Sequence, residues 1–419
     1  MQFATVSKYL GIVALLLGSS MALSLPWAWP FAGQTTAVEW NAVFGLLGTM
    51  AIAFALGGML MHFGRKAATE LFRREALAVV GLSWILATVI GALPFLLSGT
   101  CLGPSQVGDQ IGEPMTVVDA LFESASGFTE AGAPVITDLE DPALVPRSIL
   151  FWRSETHFLG GLGILVLFVA LLGQGSSAKA VMRAELPGPT MESAHARLHE
   201  AARAFPAIYV GLNVMLTGLL LVEGMNLFDA LCHSFGTIAT GGFSTYNASV
   251  AHFDSPAIDY TITIFMAISC VNFALLWAVM LFRPGTLFRD QEVRAYAVIL
   301  SGAIGLMGGC GLYHTDFGNL GDAIRYASFQ GTSILTNTGF GTHDFDQWNS
   351  FGRGFLLLLM FIGGCAGSTS CSIKVIRHLM LWKGLTGEFE KAYHPTVVRP
   401  VRIDDKPIDP KIIQHVYFY

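Results

Sequence analysis

Apolar runs recur along the chain at 9–31, 40–63, 76–99, 148–173, 204–226, 257–282, 295–313 and 352–382. Each is close to the ~20 residues that a helix needs to cross a bilayer. The pattern predicts an all-α polytopic membrane protein. The first run resembles a signal peptide, with Lys8, an apolar stretch and then "MALS". A second run follows at once and continues the helical pattern, so the first reads as a retained helix.

Three stretches between the runs share a frame. "DALFESASGFTEAGAPV" begins at Asp119 and "DALCHSFGTIATGGFST" at Asp229, and the two align without a gap. Gly132 then falls opposite Gly242. "DAIRYASFQGTSILTNTGFGT" begins at Asp322; aligned from its end, Gly339 matches Gly242 and Phe340 matches Phe243. A unit of span, short helix, glycine-bearing turn and span therefore occurs three times, and internal repetition of this kind decides the fold. Each short helix, about ten residues and polar (Glu123, Ser124, Ser126; His233, Ser234; Ser328, Gln330), does not span. A short helix followed by glycine-rich backbone is what a re-entrant pore loop requires, because non-helical backbone at membrane depth must line a watery cavity or be buried in protein.

Composition agrees with a membrane class. The 419 residues are 53% hydrophobic and 13% charged, with mean hydropathy +0.56, against about 25% charged in soluble domains. The net charge of −6 says less than where the charges lie. Basic residues cluster at 64–74, 174–203, 283–294 and 374–411, while the loops between carry Asp109, Glu113 and Asp119, then Asp138, Glu140 and Asp141, then Asp254, then Asp344 and Asp346. The positive-inside rule puts the basic loops in the cytoplasm. The acidic loops read either as solubilising surface or as an outer mouth that concentrates cations. The six cysteines are scattered, with no CxxC and no zinc spacing, and read as unpaired structural thiols.

The candidate chemistry is carbonyl coordination. Rings of backbone carbonyls replace the hydration shell of an alkali cation in filters of the TVGYG kind. Asn337-Thr338-Gly339-Phe340-Gly341 and Thr240-Gly241-Gly242-Phe243-Ser244 follow that pattern closely, and Glu130-Ala131-Gly132-Ala133-Pro134 more loosely. "GGCAGSTS", 363–370, is no phosphate loop: no GK[ST] follows and it lies inside an apolar span. It reads either as close helix packing through small residues or as a helix broken in mid-membrane. In the second case Gly363, Gly364 and Gly367 allow unwinding, and Ser368, Thr369 and Ser370 satisfy the freed backbone.

"TIATGGFSTYNASVAHFDSP", "ILFWRSETHFLGGLGILVL", "RAELPGP" and "FIGGCAGSTSCSIKVIR" resemble the signature stretches of the Trk/Ktr/HKT superfamily of potassium transporters, closest to the bacterial Trk potassium-uptake membrane subunit. The resemblance covers nearly the whole chain. It implies pseudo-repeats of helix, pore helix, filter loop and helix around a central pore, with potassium as transported ion and no cofactor. It implies a multi-pass protein of the bacterial cytoplasmic (inner) membrane, a homodimer, and a cytoplasmic nucleotide-binding regulatory subunit; no nucleic-acid partner is expected. Carried over by residue, the filter takes in Ala131, Gly132, Thr240, Gly241, Gly242, Phe243, Asn337, Thr338, Gly339 and Phe340, and Gly132 favours potassium over sodium. The run Gly363, Gly364, Cys365, Ala366, Gly367, Ser368, Thr369 and Ser370 is the intramembrane loop that obstructs the pore. The organisation expected is an N-terminal helix pair (1–68), pore repeat 1 (69–175), a cytoplasmic linker (176–202), pore repeat 2 (203–285) and pore repeat 3 with a broken inner helix (286–385). A cytoplasmic segment with the start of an incomplete repeat 4 (386–419) follows.

Several positions depart from the family. The first filter reads "TEAGA", so Glu130 places a carboxylate beside the pore. "SETHF", with Glu155 and His157, replaces the usual amide-and-aromatic pattern. Cys371 and Ser372 stand where the gating motif continues with glycines, and Lys374 and Arg377 read as cytoplasmic anchors. Arg153 is either a snorkelling anchor or the partner of Asp119 or Glu123. A carbonyl ring needs four loops and three are found, so the chain ending at Tyr419 is expected to be a truncation or gene fragment without selective flux of its own. A cation-coupled secondary transporter, or symporter, would need an ionisable residue deep in a span, and the sequence singles out none. A membrane enzyme would need a nucleophile–base set or metal ligands such as HExxH, which do not occur.

Overall fold

The computed structural model describes residues 2–33, 35–67, 73–104, 112–172, 194–394, 400–404, 406–408, 413–414 and 416–417. The expected linker at 176–202, with "RAELPGP", lies outside the described residues up to residue 193, as does part of 386–419. Counting helices of eight residues or more, the order is α1 (Phe3–Ser20), α2 (Trp40–Phe63), α3 (Arg73–Leu97), α4 (Val117–Phe128), α5 (Arg147–Leu172), α6 (Ala194–Val222) and α7 (Leu227–Ala239). There follow α8 (Pro256–Ser269), α9 (Phe273–Met280), α10 (Gln291–Tyr313), α11 (Leu320–Leu335), α12 (Ser350–Leu359) and α13 (Val375–Tyr393). Two small antiparallel hairpins, 101–104 with 112–114 and 402–403 with 406–407, are the strands among the described residues. Among these residues, Phe3–Ala28, Trp40–Lys66, Arg74–Leu97, Ala204–Val222 and Gln291–Tyr313 are long and apolar enough to cross a membrane.

One expected span differs. The run at 257–282 is not one helix: α8 and α9 meet at a 105° bend. The cause is Asn272, whose side chain accepts the Ala274 N–H at 2.8 Å and so starts a new helix inside an apolar run.

The chain forms two compact units, Met1–Ala178 with Leu212–Asp254, and Lys179–Gly211 with Ser255–Tyr419. In the first unit, α1 to α5 and α7 share a core that includes Leu46, Ile90, Phe95, Phe128, Ile149, Trp152 and Phe228. The Trp152 indole donates to Gly91 O at 3.1 Å, tying α5 to α3. The N-terminus of α5 is capped from far away: Glu39 accepts the Arg147 and Ser148 N–H groups at 2.7 and 3.2 Å. In the second unit the core gathers Tyr296, Met307, Phe317, Ala327, Leu335, Trp348 and Leu356. There Arg325 on α11 pairs with Asp259 on α8 at 2.6 Å.

The short helices α4, α7 and α11 start in one way. Thr116, Asn226 and Asn319 are the N-caps, and their side chains accept the backbone N–H of Asp119, Asp229 and Asp322. The three aspartates that set the sequence alignment are thus the third residues of three helices, where a carboxylate also favours the positive end of the helix dipole. Asp229 does most: its carboxylate accepts from Asn226 Nδ2 at 2.7 Å, Thr245 Oγ1 at 2.7 Å and Tyr246 OH at 2.8 Å. The Asn226→Ala substitution should cost about 1 kcal/mol of stability. Asp229→Ala should cost roughly 3 kcal/mol, because it strips three bonds to a charged acceptor. Thermal unfolding in detergent orders the two; equal effects would reduce Asp229 to its capping role.

Candidate functional site

The three short helices also end in one way. Glu130, Thr240 and Asn337 all have φ of 60°. Their N–H groups bond back to Gly127, Thr237 and Ile334 O, and the N–H groups of the next residues, Ala131, Gly241 and Thr338, reach Ser126, Gly236 and Ser333 O at 3.0, 2.8 and 2.9 Å. This pair of bonds is the Schellman closure, which asks for a left-handed residue and usually takes glycine. Two positions further on, Gly132, Gly242 and Gly339 are left-handed again, with φ of 64°, 80° and 84°. Left-handed residues at every second position undo the side-to-side alternation of an extended chain.

In the first unit two of these loops touch. A Cβ built on Gly132 would collide with the Gly241 carbonyl and come within 3.8 Å of the Gly242 Cα. His157 fastens the pair. Its Nε2 accepts the Phe243 N–H at 3.1 Å, so the ring proton is on Nδ1, which donates to Gly127 O at 2.8 Å. Its ring lies 4.2 Å from that of Phe243. Arg153 also packs on Phe243, with its guanidinium carbon 3.5 Å from the ring centroid. It is buried, donates to Ser244 O at 3.1 Å and pairs with Glu123 at 2.5 Å. Glu123 in turn accepts the Val135 N–H at 2.8 Å. Of the two partners open for Arg153, Glu123 is the one found, and the snorkelling reading falls. Glu130 and Ala131 lie in this first loop, with Glu130 buried.

Outside the loops, Asn247 binds the acidic turn: its Nδ2 donates to Asp138 at 3.0 Å and its N–H to Glu140 at 3.1 Å. The Asn247 amide holds the Asp138 carboxyl below its ordinary range. Burial, and after it the charge of Asp229, pushes the Tyr246 hydroxyl well up.

The third loop belongs to the second unit. Phe340 is buried, as Phe243 is in the first unit. Its carbonyl accepts from Ser333 Oγ at 2.7 Å, and the hydroxyls of Thr336 and Thr338 are 2.8 Å apart. A Cβ on Gly339 would meet open space.

The run Gly363 to Ser370 separates α12 from α13 without helix. Ile362 bridges Ile373, and the Gly363 N–H reaches Ile373 O at 2.9 Å. The bend between α8 and α9 holds the other side: the Cys365 N–H reaches Cys270 O at 2.9 Å, the Phe273 N–H reaches Gly367 O at 3.1 Å, and Thr369 Oγ1 reaches Ser269 O at 3.2 Å. The Gly364 N–H is taken by Ser370 Oγ at 2.6 Å. Ser372 has φ of 64° and donates to Met360 O at 2.8 Å. Lys374 is not a simple anchor, since its ammonium reaches back to Ser370 O and to Ser368 Oγ at 3.4 Å.

The sequence reading missed three buried groups. His157 and Glu155 were noted only as departures, yet both are buried within α5. Glu155 accepts from Ser24 Oγ at 2.9 Å, and its other oxygen meets no partner among the described residues. Glu292 passed unnoticed in a basic loop; "DQEV" with Asp290 as N-cap of α10 was the available signal. The clamp by His157 yields a prediction. His157→Ala strands the Phe243 N–H and the Gly127 carbonyl and should lower stability by about 2–4 kcal/mol. His157→Gln, which can donate and accept, should lose distinctly less. Equal losses, read by thermal unfolding in detergent, would mean that ring packing alone matters.

Comparison with known proteins gives this arrangement relatives. The TrkH family model, described as a cation transport protein, matches residues 45–307 and 310–419. The Trk system potassium uptake protein TrkH of Escherichia coli is 34% identical over 421 residues, covering 100% of this chain and 82% of that protein. The Trk system potassium uptake protein TrkG of the same organism is 31% identical, covering 90% of this chain and 76% of its own. The crystal structure of the potassium transporter TrkH from Vibrio parahaemolyticus superposes with a TM-score of 0.84 at 32% identity, over 100% of this chain and 82% of that one. With matches this extensive in both sequence and fold, the chain belongs to the TrkH family of cation transport proteins.

Proposed function

We propose that this protein carries out potassium uptake across the bacterial cytoplasmic membrane, through a channel-like pore in which backbone carbonyls of the three glycine loops meet the ion. The reading is carried by one observation: three helices capped alike, closed alike, and followed by a glycine of positive φ. Such rigid, repeated loops suit carbonyl coordination of an alkali cation. The groups concerned are Ala131 and Gly132, Thr240 to Phe243, and Asn337 to Phe340. The uptake assigned to the named relatives supports potassium as the ion. The charge asymmetry of the loops supports a cytoplasmic basic face, and the family resemblance supports a homodimer with a cytoplasmic nucleotide-binding regulatory subunit. Rubidium flux into liposomes that hold the protein, with voltage clamped and no second gradient, is the test. Flux under those conditions supports a passive pore; flux only with a proton or sodium gradient supports the coupled reading, for which buried Glu155 is the group to examine.

The loop geometry ranks two substitutions. Gly132→Ser adds a side chain in a left-handed residue and drives it into the Gly241 carbonyl. Gly339→Ser meets open space and adds only backbone strain of about 1–2 kcal/mol. Competing-ion flux should therefore show a larger loss of potassium over sodium preference for Gly132→Ser. An unchanged ratio would remove Gly132 from the ion path.

The run Gly363 to Ser370 is proposed as the gate. It is uncharged, non-helical and held by hydrogen bonds to a bent helix pair. Deleting Ala366 to Thr369 should raise basal flux. A folded protein with lower basal flux would make the run a packing element.

A further inference from the structure

We propose that Glu292 and Lys374 form a two-charge clamp that keeps the 363–370 run in place, with Glu292 as its positioning residue. The proposal rests on the gating reading above. The run has no charge of its own, and a break inside an apolar span leaves backbone groups that only protein can satisfy. Glu292 lies at the start of α10 and is 6% exposed. Its Oε1 accepts two N–H groups, from Ala366 within the run at 2.8 Å and from Ile376 in the first turn of α13 at 3.0 Å. Lys374 donates to the Ser370 carbonyl and to Ser368 Oγ. Donors of the run thus face an anion, and acceptors face a cation. Hydrogen bonds with one ionised partner are about twice as strong as neutral ones. A carboxylate serving only as a cap for α13 would need the Ile376 N–H alone; the bond to Ala366 is what joins the run to α10.

The clamp also has a connection outward. Gln291, next to Glu292, gives its N–H to Asp404 at 3.0 Å, and its side-chain oxygen accepts from Lys383 at 2.6 Å. Lys383 also donates to Arg402 O at 2.7 Å. The segment after α13 is therefore fastened to the peptide that carries the clamp, so displacement of that segment pulls on Glu292.

The test uses the protein in liposomes, without a regulatory partner, and reads two quantities. One is basal rubidium flux. The other is the rate at which a maleimide labels Cys365, resolved by mass spectrometry; this thiol is fully buried in the run. Glu292→Ala should raise both roughly tenfold, the factor expected for losing bonds to a charged acceptor. Glu292→Gln, which keeps an accepting oxygen without the charge, should raise them less. Lys374→Met should move both in the same direction and stands in if Glu292→Ala fails to fold. If the Ala366–Thr369 deletion raises flux while the Glu292 and Lys374 variants leave Cys365 labelling and flux unchanged, the clamp is overturned and the gate stands. If labelling rises in the point variants but flux rises in neither these nor the deletion, the gating reading falls and the clamp falls with it as a control of flux.

Discussion

The constraint on which the structure depends is that backbone N–H and C=O groups inside apolar segments must find partners in the protein. An unmet group in hydrocarbon costs several kcal/mol, so every departure from helix has to bring its own donors and acceptors. The three glycine loops do so by Schellman closure, which reuses the last carbonyls of the preceding helix. The second loop adds His157, a side chain that satisfies one N–H and one carbonyl in two separate segments. The 363–370 run draws on a second defect, the bend at Cys270 to Asn272, and the two defects satisfy each other. Neither could exist alone in an apolar span.

Charge inside the protein follows the same logic. Arg153 is 2% exposed, yet Glu123, the Ser244 carbonyl and the face of Phe243 take up its guanidinium from three directions. A buried pair of this kind is weak evidence for net stability, because desolvation offsets most of the attraction. Its geometric effect is stronger: Glu123 also holds Val135 beyond the first loop, and Arg153 holds Ser244 beyond the second. One ion pair therefore sets the exits of two loops whose glycines are in contact. The corresponding place in α7 is filled by His233, which bonds to Asp229 O and to Ser244 Oγ. The repeat keeps the task and changes the residue.

Much of this was legible in the sequence. The apolar runs gave the helices, and the aspartates at 119, 229 and 322 gave the repeat before their role as third helix residues was visible. Glycine and hydroxyl residues marked the interruption at 363–370 because few other residues suit unwound backbone. The bend at 272 was missed because a single asparagine hardly lowers the hydropathy of its run, although as a cap it competes with the helix directly. His157, Glu155 and Glu292 were missed for another reason. Their significance lies in partners 30 to 131 residues away, such as Gly127, Ser24 and Ala366, and no local spacing encodes such pairs. Lys374 was misread because a basic residue after an apolar run normally faces the cytoplasm; here its ammonium turns back to the run.

The left-handed residues Glu130, Thr240 and Asn337 carry the last step. A non-glycine residue in this region costs about 1–2 kcal/mol, and a β-branched threonine is a marked outlier. Glycine would remove that cost, yet it is absent from this place in all three loops and present two residues later in all three. The two sites therefore make different demands. At the glycines what matters is room, as the contact of Gly132 with the Gly241 carbonyl makes plain. At the helix closure what matters is a defined conformation, and a side chain restricts the alternatives that glycine would leave open. Strain held by surrounding structure is typical of sites where geometry must not drift. In this chain it falls at the junction that aims each loop: one step before the proposed ion contacts in the first loop, and at the first of them, Thr240 and Asn337, in the other two.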